Sequence, residues 1–133
     1  MNSRAELEDR TRAFLAAGSQ PHLDQLMAFL AEDAVVESSN GERHEGKAAI
    51  TAFFKPAMAT ETRTVRYVPT DFFCDVESQK VLTSWNLHIG IDEGEIVREG
   101  VDVLVFRGDQ IVTKLAYTKA EKPVVREVAA GAS

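Results

Sequence analysis

The chain has 133 residues, enough for one hydrophobic core and too few for two well-stabilised ones, and its 44% hydrophobic and 27% charged residues exclude the disordered and membrane-embedded classes. A formal net charge of -6, with Lys and Arg scattered among acids, argues against nucleic acid or anionic lipid as a partner, since both need a clustered basic face. The single cysteine, Cys74, excludes an intrachain disulfide, and with neither a signal-like apolar stretch at Met1–Glu6 nor a bilayer-length apolar run the expectation is a soluble, cytoplasmic protein.

Leu7, Thr11, Phe14 and Leu15 recur at helical spacing with charges between them, which predicts an amphipathic helix over residues 4–17 ended by Gly18. Pro21 suits the first turn of a second helix, in which Leu23, Leu26, Met27 and Leu30 follow the i, i+3, i+4, i+7 pattern. Residues 34–37 then read as a short strand, Ser38-Ser39-Asn40-Gly41 as a turn, and the stretch to His44 as a short return. Gly46 opens a third helix with Ile50, Phe53, Phe54 and Ala57 on one stripe, and Pro56 should end or kink it.

From Thr64 the hydrophobic period changes to two, and residues 64–75, 80–91, 95–107 and 110–119 read as a four-strand antiparallel meander. After Pro123 the chain turns to small residues, as a frayed end would. The expectation is one α+β domain over residues 1–122 and a flexible tail over 123–133.

Alternation assigns side chains to faces once the hairpins are closed. A three-residue loop at 107–109 pairs Phe106 with Gln110 and brings Asp102 opposite Lys114, with Leu104, Phe106, Val112, Ala116 and Thr118 on the same face. A three-residue loop at 92–94 sets Ser84 opposite Asp102 and adds Leu82, Asn86, His88 and Arg98 to that face. The opposite face then carries Trp85, Val101, Val103, Val105, Leu115 and Tyr117, with Val81, Thr83, Leu87 and Ile89. An apolar outer face of that kind predicts a sheet-to-sheet homodimer. A one-residue slip in either hairpin would exchange the faces of the slipped strand.

Three stretches carry a family resemblance: residues 29–37 (FLAEDAVVE), 46–54 (GKAAITAFF) and 100–111 (GVDVLVFRGDQI). With the order helix, helix, short hairpin, helix, curved meander, the chain resembles the SnoaL-like branch of the nuclear transport factor 2-like superfamily over roughly residues 4–119. The resemblance implies a cone-shaped, strongly curved antiparallel sheet with the three N-terminal helices packed on its concave face around a pocket. It also implies a commonly dimeric protein, in a group that includes steroid isomerases, polyketide cyclases, epoxide hydrolases and non-enzymatic binders.

Against ketosteroid isomerase, Asp102 matches the aspartic acid that helps hold the enolate oxygen, but Ser38 stands where the general base belongs and Phe14 where the oxyanion tyrosine belongs. Neither a serine hydroxyl nor a phenyl ring takes a carbon-bound proton, so that chemistry is not expected in that form. Polyketide cyclases are closer, with an aspartate base where Asp102 falls and a histidine on the preceding strand, a part His88 can play. Arg98 and Asp102 supply only part of the aspartate–arginine–aspartate set of limonene epoxide hydrolase.

The residues themselves leave alternatives open. Asp102 and Lys114 form either a catalytic pair or a structural ion pair. His88 is an acid or proton shuttle, or a hydrogen-bonded rim histidine. Ser84 and Asn86 orient a ligand carbonyl or face solvent, Arg98 and Thr118 join the ligand contacts, and Phe14 and Phe53 wall a ligand site or fill the core. Tyr67, which can go to either face, is set aside with His44 and Cys74. His22, His44 and His88 lack metal-ligand spacing and no phosphate loop follows a strand, so no metal or cofactor is expected. The function expected is small-molecule binding, with proton transfer on a largely apolar carbonyl or hydroxyl compound, or else a non-catalytic ligand-binding or dimerisation module.

Overall fold

The computed structural model describes residues 1–58 and 64–120; the expected tail over 123–133 lies outside them. In chain order the elements are α1 (Arg4–Gly18), α2 (Leu23–Met27), β1 (Leu30–Glu37), β2 (Arg43–Glu45), α3 (Lys47–Met58), β3 (Val65–Asp75), β4 (Lys80–Ile91), β5 (Gly94–Arg107) and β6 (Gln110–Thr118). The strands form one sheet in the order β2-β1-β6-β5-β4-β3. The sheet is curved and unclosed, giving the expected α+β cone. It is mixed, because β1 runs parallel to β6 while the meander is antiparallel.

Helix α1 starts on a reciprocal cap: Glu6 N–H donates to Ser3 Oγ at 3.1 Å, and Ser3 N–H donates to Glu6 Oε1 at 3.0 Å. It buries Leu7, Thr11, Phe14 and Leu15 and packs mainly on β3. Just past its end, the Ser19 hydroxyl accepts the Tyr67 N–H at 3.0 Å, which fastens the helix to the edge strand β3. Edge position also explains how β3 tolerates Pro69, which sits at a break in the β3–β4 register.

Helix α2 is shorter than its spacing predicts. Leu30 leaves the helical pattern to begin β1, where it pairs with Ile111, and Ile111 N–H donates to Phe29 O at 2.8 Å. Both side chains are fully buried there, each gaining about 1.5–3 kcal/mol from burial, so strand pairing outcompetes one more helical turn. Helix α3 runs through Pro56 to Met58 and packs on β1 and β2.

Both hairpins close tighter than expected. Ile91 pairs with Gly94, leaving Asp92 and Glu93 as the loop and putting the positive φ of 140° on Gly94. Thr83, and not Ser84, therefore stands opposite Asp102, while Ser84, Asn86 and His88 pair with Val101, Glu99 and Val97. That one-residue slip corrects the face assignment of β4: Ser84, Asn86, His88 and Leu82 lie on the convex face, and Val81, Thr83, Trp85, Leu87 and Ile89 on the concave one.

The β5–β6 turn likewise pairs Arg107 with Gln110 around Gly108 at φ 63°. Here an extra residue at Val112 follows, since Phe106 pairs with Ile111 but Val105 with Thr113. The bulge undoes the slip. Lys114 stays on Asp102's face, although its direct partner is Leu104 and that of Asp102 is Ala116.

Candidate functional site

Helices and sheet line a partly open cavity of about 580 Å³. Phe14 and Leu26 wall it from α1 and α2, Phe53, Phe54 and Met58 from α3, and Tyr67 from β3. Asp102, Lys114 and Ala116 supply its sheet side, and the exposed residues Gln20, Pro21, Ser39 and Thr64 form its rim. The aromatic walls are braced from behind: Phe53 stacks on His44 with centroids 4.1 Å apart, and Phe14 meets Phe29 edge-on at 5.8 Å.

Asp102 is 2% exposed yet lines the cavity. Its Oδ1 lies 4.0 Å from Lys114 Nζ, too far for a hydrogen bond, and is buried without a hydrogen-bond partner. Burial pushes the Asp102 carboxyl above the usual carboxylate range, against the opposing pull of the Lys114 ammonium and the Trp85 indole N–H. Trp85 Nε1 is itself buried and completes no hydrogen bond within the protein. The Lys114 side chain is 14% exposed, and its ammonium sits 5.9 Å from the Phe54 ring centre.

Tyr67 meets Trp85 edge-on, with centroids 5.1 Å apart at 89°. Burial and the negative charge of Asp102 push its phenol up to about 12, so it keeps its proton and can donate a hydrogen bond. Trp85 has room on the concave face because its cross-strand partner is Gly100, where a Cβ would come within 2.3 Å of the indole and 2.6 Å of the Tyr117 carbonyl oxygen.

Of the residues singled out in the sequence, Asp102, Lys114, Phe14 and Phe53 come together around the cavity. The others do not line it. The Ser84 hydroxyl is bonded to that of Thr70 at 2.7 Å, His88 Nδ1 is bonded to Glu95 Oε1 at 2.8 Å, and Asn86 faces Glu99. Arg98 shares the Asp102 side of β5 but sits opposite Leu87, toward the other end of the strand. The Thr118 hydroxyl is taken up by Ser39 at 2.6 Å.

Tyr67 and Trp85 are the neighbours of Asp102 that sequence reasoning missed. The available signal was Gly100, a glycine inside a strand two residues before the aspartate, which marks close approach by a bulky group. Among the described residues, no group of three or more His, Cys, Asp and Glu could hold a metal ion, and no helix is long and apolar enough to cross a membrane.

Solved structures share this architecture. A candidate polyketide cyclase from Xanthomonas campestris pv. campestris superposes with a TM-score of 0.73 at 22% identity, covering 86% of this chain and 90% of that one. A candidate isomerase from Bacillus subtilis gives a TM-score of 0.73 at 21% identity over 90% of both chains. An LEH-like epoxide hydrolase from M. tuberculosis gives 0.72 at 18% identity, covering 86% of this chain and 84% of that one. At such identities the likeness establishes the fold alone. No curated protein is significantly similar in sequence. The model of the SnoaL-like domain, however, matches residues 11–114, from the middle of α1 to the lysine beside Asp102, and the chain belongs to the SnoaL-like family.

Proposed function

We propose that the protein binds a small, largely apolar carbonyl or hydroxyl compound in the cavity and transfers a proton on it, with Asp102 taking and returning that proton. The supporting observation is the buried Asp102 carboxyl, whose Oδ1 has no hydrogen-bond partner although Lys114 stands 4.0 Å away. A buried ion pair repays its desolvation only with close geometry and full hydrogen bonding, and this pair has neither. Because burial outweighs Lys114 in setting the direction of the Asp102 shift, the carboxyl is a costly group to keep for stability and a well-placed one for chemistry.

In this reading a carbon-bound proton next to the ligand carbonyl passes to Asp102, while the Tyr67 phenol stabilises the negative oxygen that develops. The apolar walls hold the ligand body and keep water from competing. Ser84, Asn86 and His88, on the convex face, take no part. The cyclase, isomerase and hydrolase descriptions attached to the structural neighbours agree with a proton-moving site of this kind.

The test is Asp102→Asn against a panel of carbonyl and epoxide compounds. Turnover should fall by about 10²–10⁴-fold, the usual contribution of a positioned acid or base. Unchanged turnover, with ligand affinity also unchanged, would remove Asp102 from the mechanism and leave a binding module without chemistry.

The convex face supports the rest of the reading. Phe73 and Tyr117 are 69% and 59% exposed there, with Leu82 and Val97 beside them, although Trp85 is not part of the patch. We assign this face to a homodimer in the cytoplasm. Tyr117→Glu should convert the dimer to monomer in sedimentation velocity, and a wild-type protein that is monomeric at micromolar concentration would remove the assignment.

A further inference from the structure

We propose that Lys114 is a nucleophile that condenses with an aldehyde or unhindered ketone in the cavity to form an imine. The inference rests on the reading that the cavity takes carbonyl compounds, and goes beyond it by giving Lys114 a covalent role.

Three observations meet at this side chain. Lys114 is largely buried, and its amine is beside the Phe54 ring on the wall of the cavity a carbonyl compound would occupy. Its acidic neighbour is close enough to exchange a proton through a small shift or a ligand oxygen, but at 4.0 Å it does not lock the amine in a hydrogen bond. That neighbour, Asp102, is a buried carboxyl with an oxygen left unpartnered, so it can hold the proton that the amine gives up.

The steps balance with no further reagent. The Lys114 ammonium passes one proton to Asp102, and the free amine attacks the carbonyl carbon. The C–N bond forms as the C=O π pair moves to oxygen, which takes the proton from Asp102. The nitrogen then returns one of its protons to Asp102, which delivers it to the new hydroxyl. The C–O bond breaks, water leaves, and the nitrogen lone pair closes the C=N bond. The product is an iminium beside an Asp102 carboxylate, so one ammonium and one carbonyl have become one iminium and one water. The iminium acidifies the adjacent carbon-bound proton, and Asp102 is placed to remove it.

The occupant class follows from the walls: a largely apolar, preferably aromatic, aldehyde or methyl ketone. The probe is 2-naphthaldehyde with sodium cyanoborohydride, which reduces an imine to a stable secondary amine, and attachment sites are located by peptide mapping. Lys55, Lys80 and Lys119 are exposed and serve as internal references. Lys114 should be modified at least about tenfold faster than these, the direction expected of an amine held against its bound partner. Lys114→Arg should abolish the fast modification, and Asp102→Asn should slow it.

Binding is read separately through the fluorescence of Trp85, the sole tryptophan of the chain. Modification of Lys114 no faster than of the exposed lysines overturns the proposal. If the naphthaldehyde then still alters Trp85 emission, the imine alone is lost and the binding cavity stands; if emission is also unmoved, both fall.

Discussion

The two faces of strands β4 and β5 carry side chains only one residue apart in sequence and face opposite demands. On the concave side Thr83, Trp85, Asp102 and Leu104 are buried, and the carboxyl among them has its pKa raised and an oxygen unpartnered. On the convex side Ser84 and His88 are bonded to Thr70 and Glu95, while Leu82 and Val97 stand exposed. On the convex face Ser84 and His88 are satisfied by neighbours while apolar side chains stand exposed; on the concave face the Thr83 hydroxyl donates to the Asp71 carbonyl at 3.0 Å, but Asp102 Oδ1 and Trp85 Nε1 have no hydrogen-bond partner. Exposed apolar side chains thus gather on the convex face, whereas the concave face buries a carboxyl with one oxygen unpaired.

The sharpest way to break this contrast is at Tyr67, the buried phenol nearest Asp102's charge. Tyr67→Phe should lower turnover by about 10²–10³-fold if the phenol donates to a developing oxyanion, with ligand affinity little changed. Loss of affinity with turnover of bound ligand preserved would place Tyr67 in binding alone.

Next comes Gly100, the space under the indole. Gly100→Ala should destabilise the fold by roughly 1–3 kcal/mol in chemical denaturation, because neither the indole nor a backbone carbonyl can yield 2.3–2.6 Å contacts without moving. The same variant should shift Trp85 emission to the red as the ring is displaced toward solvent. An unshifted spectrum and full stability would mean that Trp85 does not lie over Gly100.

The Asp102 carboxyl also predicts a pH dependence whose sign is fixed. Its folded-state pKa is raised above the unfolded value of about 3.9, so the stability linked to its protonated form is fully present below that pH and is lost as pH rises through the folded-state pKa. The melting temperature of wild type relative to Asp102→Asn should therefore decline as pH rises above about 4. A relative stability that grows with pH would show that Lys114 outweighs burial and that the pair is structural.

The smallest effect belongs to the convex face. His88→Ala removes a bond to Glu95 in a small pocket beside the cavity rim, not in the cavity itself, and should change stability by less than about 0.5 kcal/mol, with turnover unaffected. A large loss of turnover would contradict the register that puts His88 there.

Helices and strands were legible in the sequence because their signals are local: Leu7, Thr11, Phe14 and Leu15 lie on one side of α1 in any context that buries them. The faces of β4 were not, since a loop of two residues and a loop of three both use Asp92-Glu93-Gly94, and the choice inverts every side chain back to Lys80. Lys114 fell on the expected side for a reason the sequence does not display, the bulge at Val112 that cancels a tighter turn. Asp102 was recognisable as a lone carboxylate among valines and leucines. Tyr67 was not assignable, because its position depends on pairing through β4 and on the register break near Pro69.

The most direct test is proton exchange itself, which needs no knowledge of the natural compound. A cavity-sized aromatic methyl ketone is incubated with the protein in D₂O and the methyl signal is followed by proton NMR. The account predicts protein-dependent loss of that signal, abolished in Asp102→Asn, whereas exchange at the same rate in both proteins, or none above buffer for a ketone that binds, would contradict it.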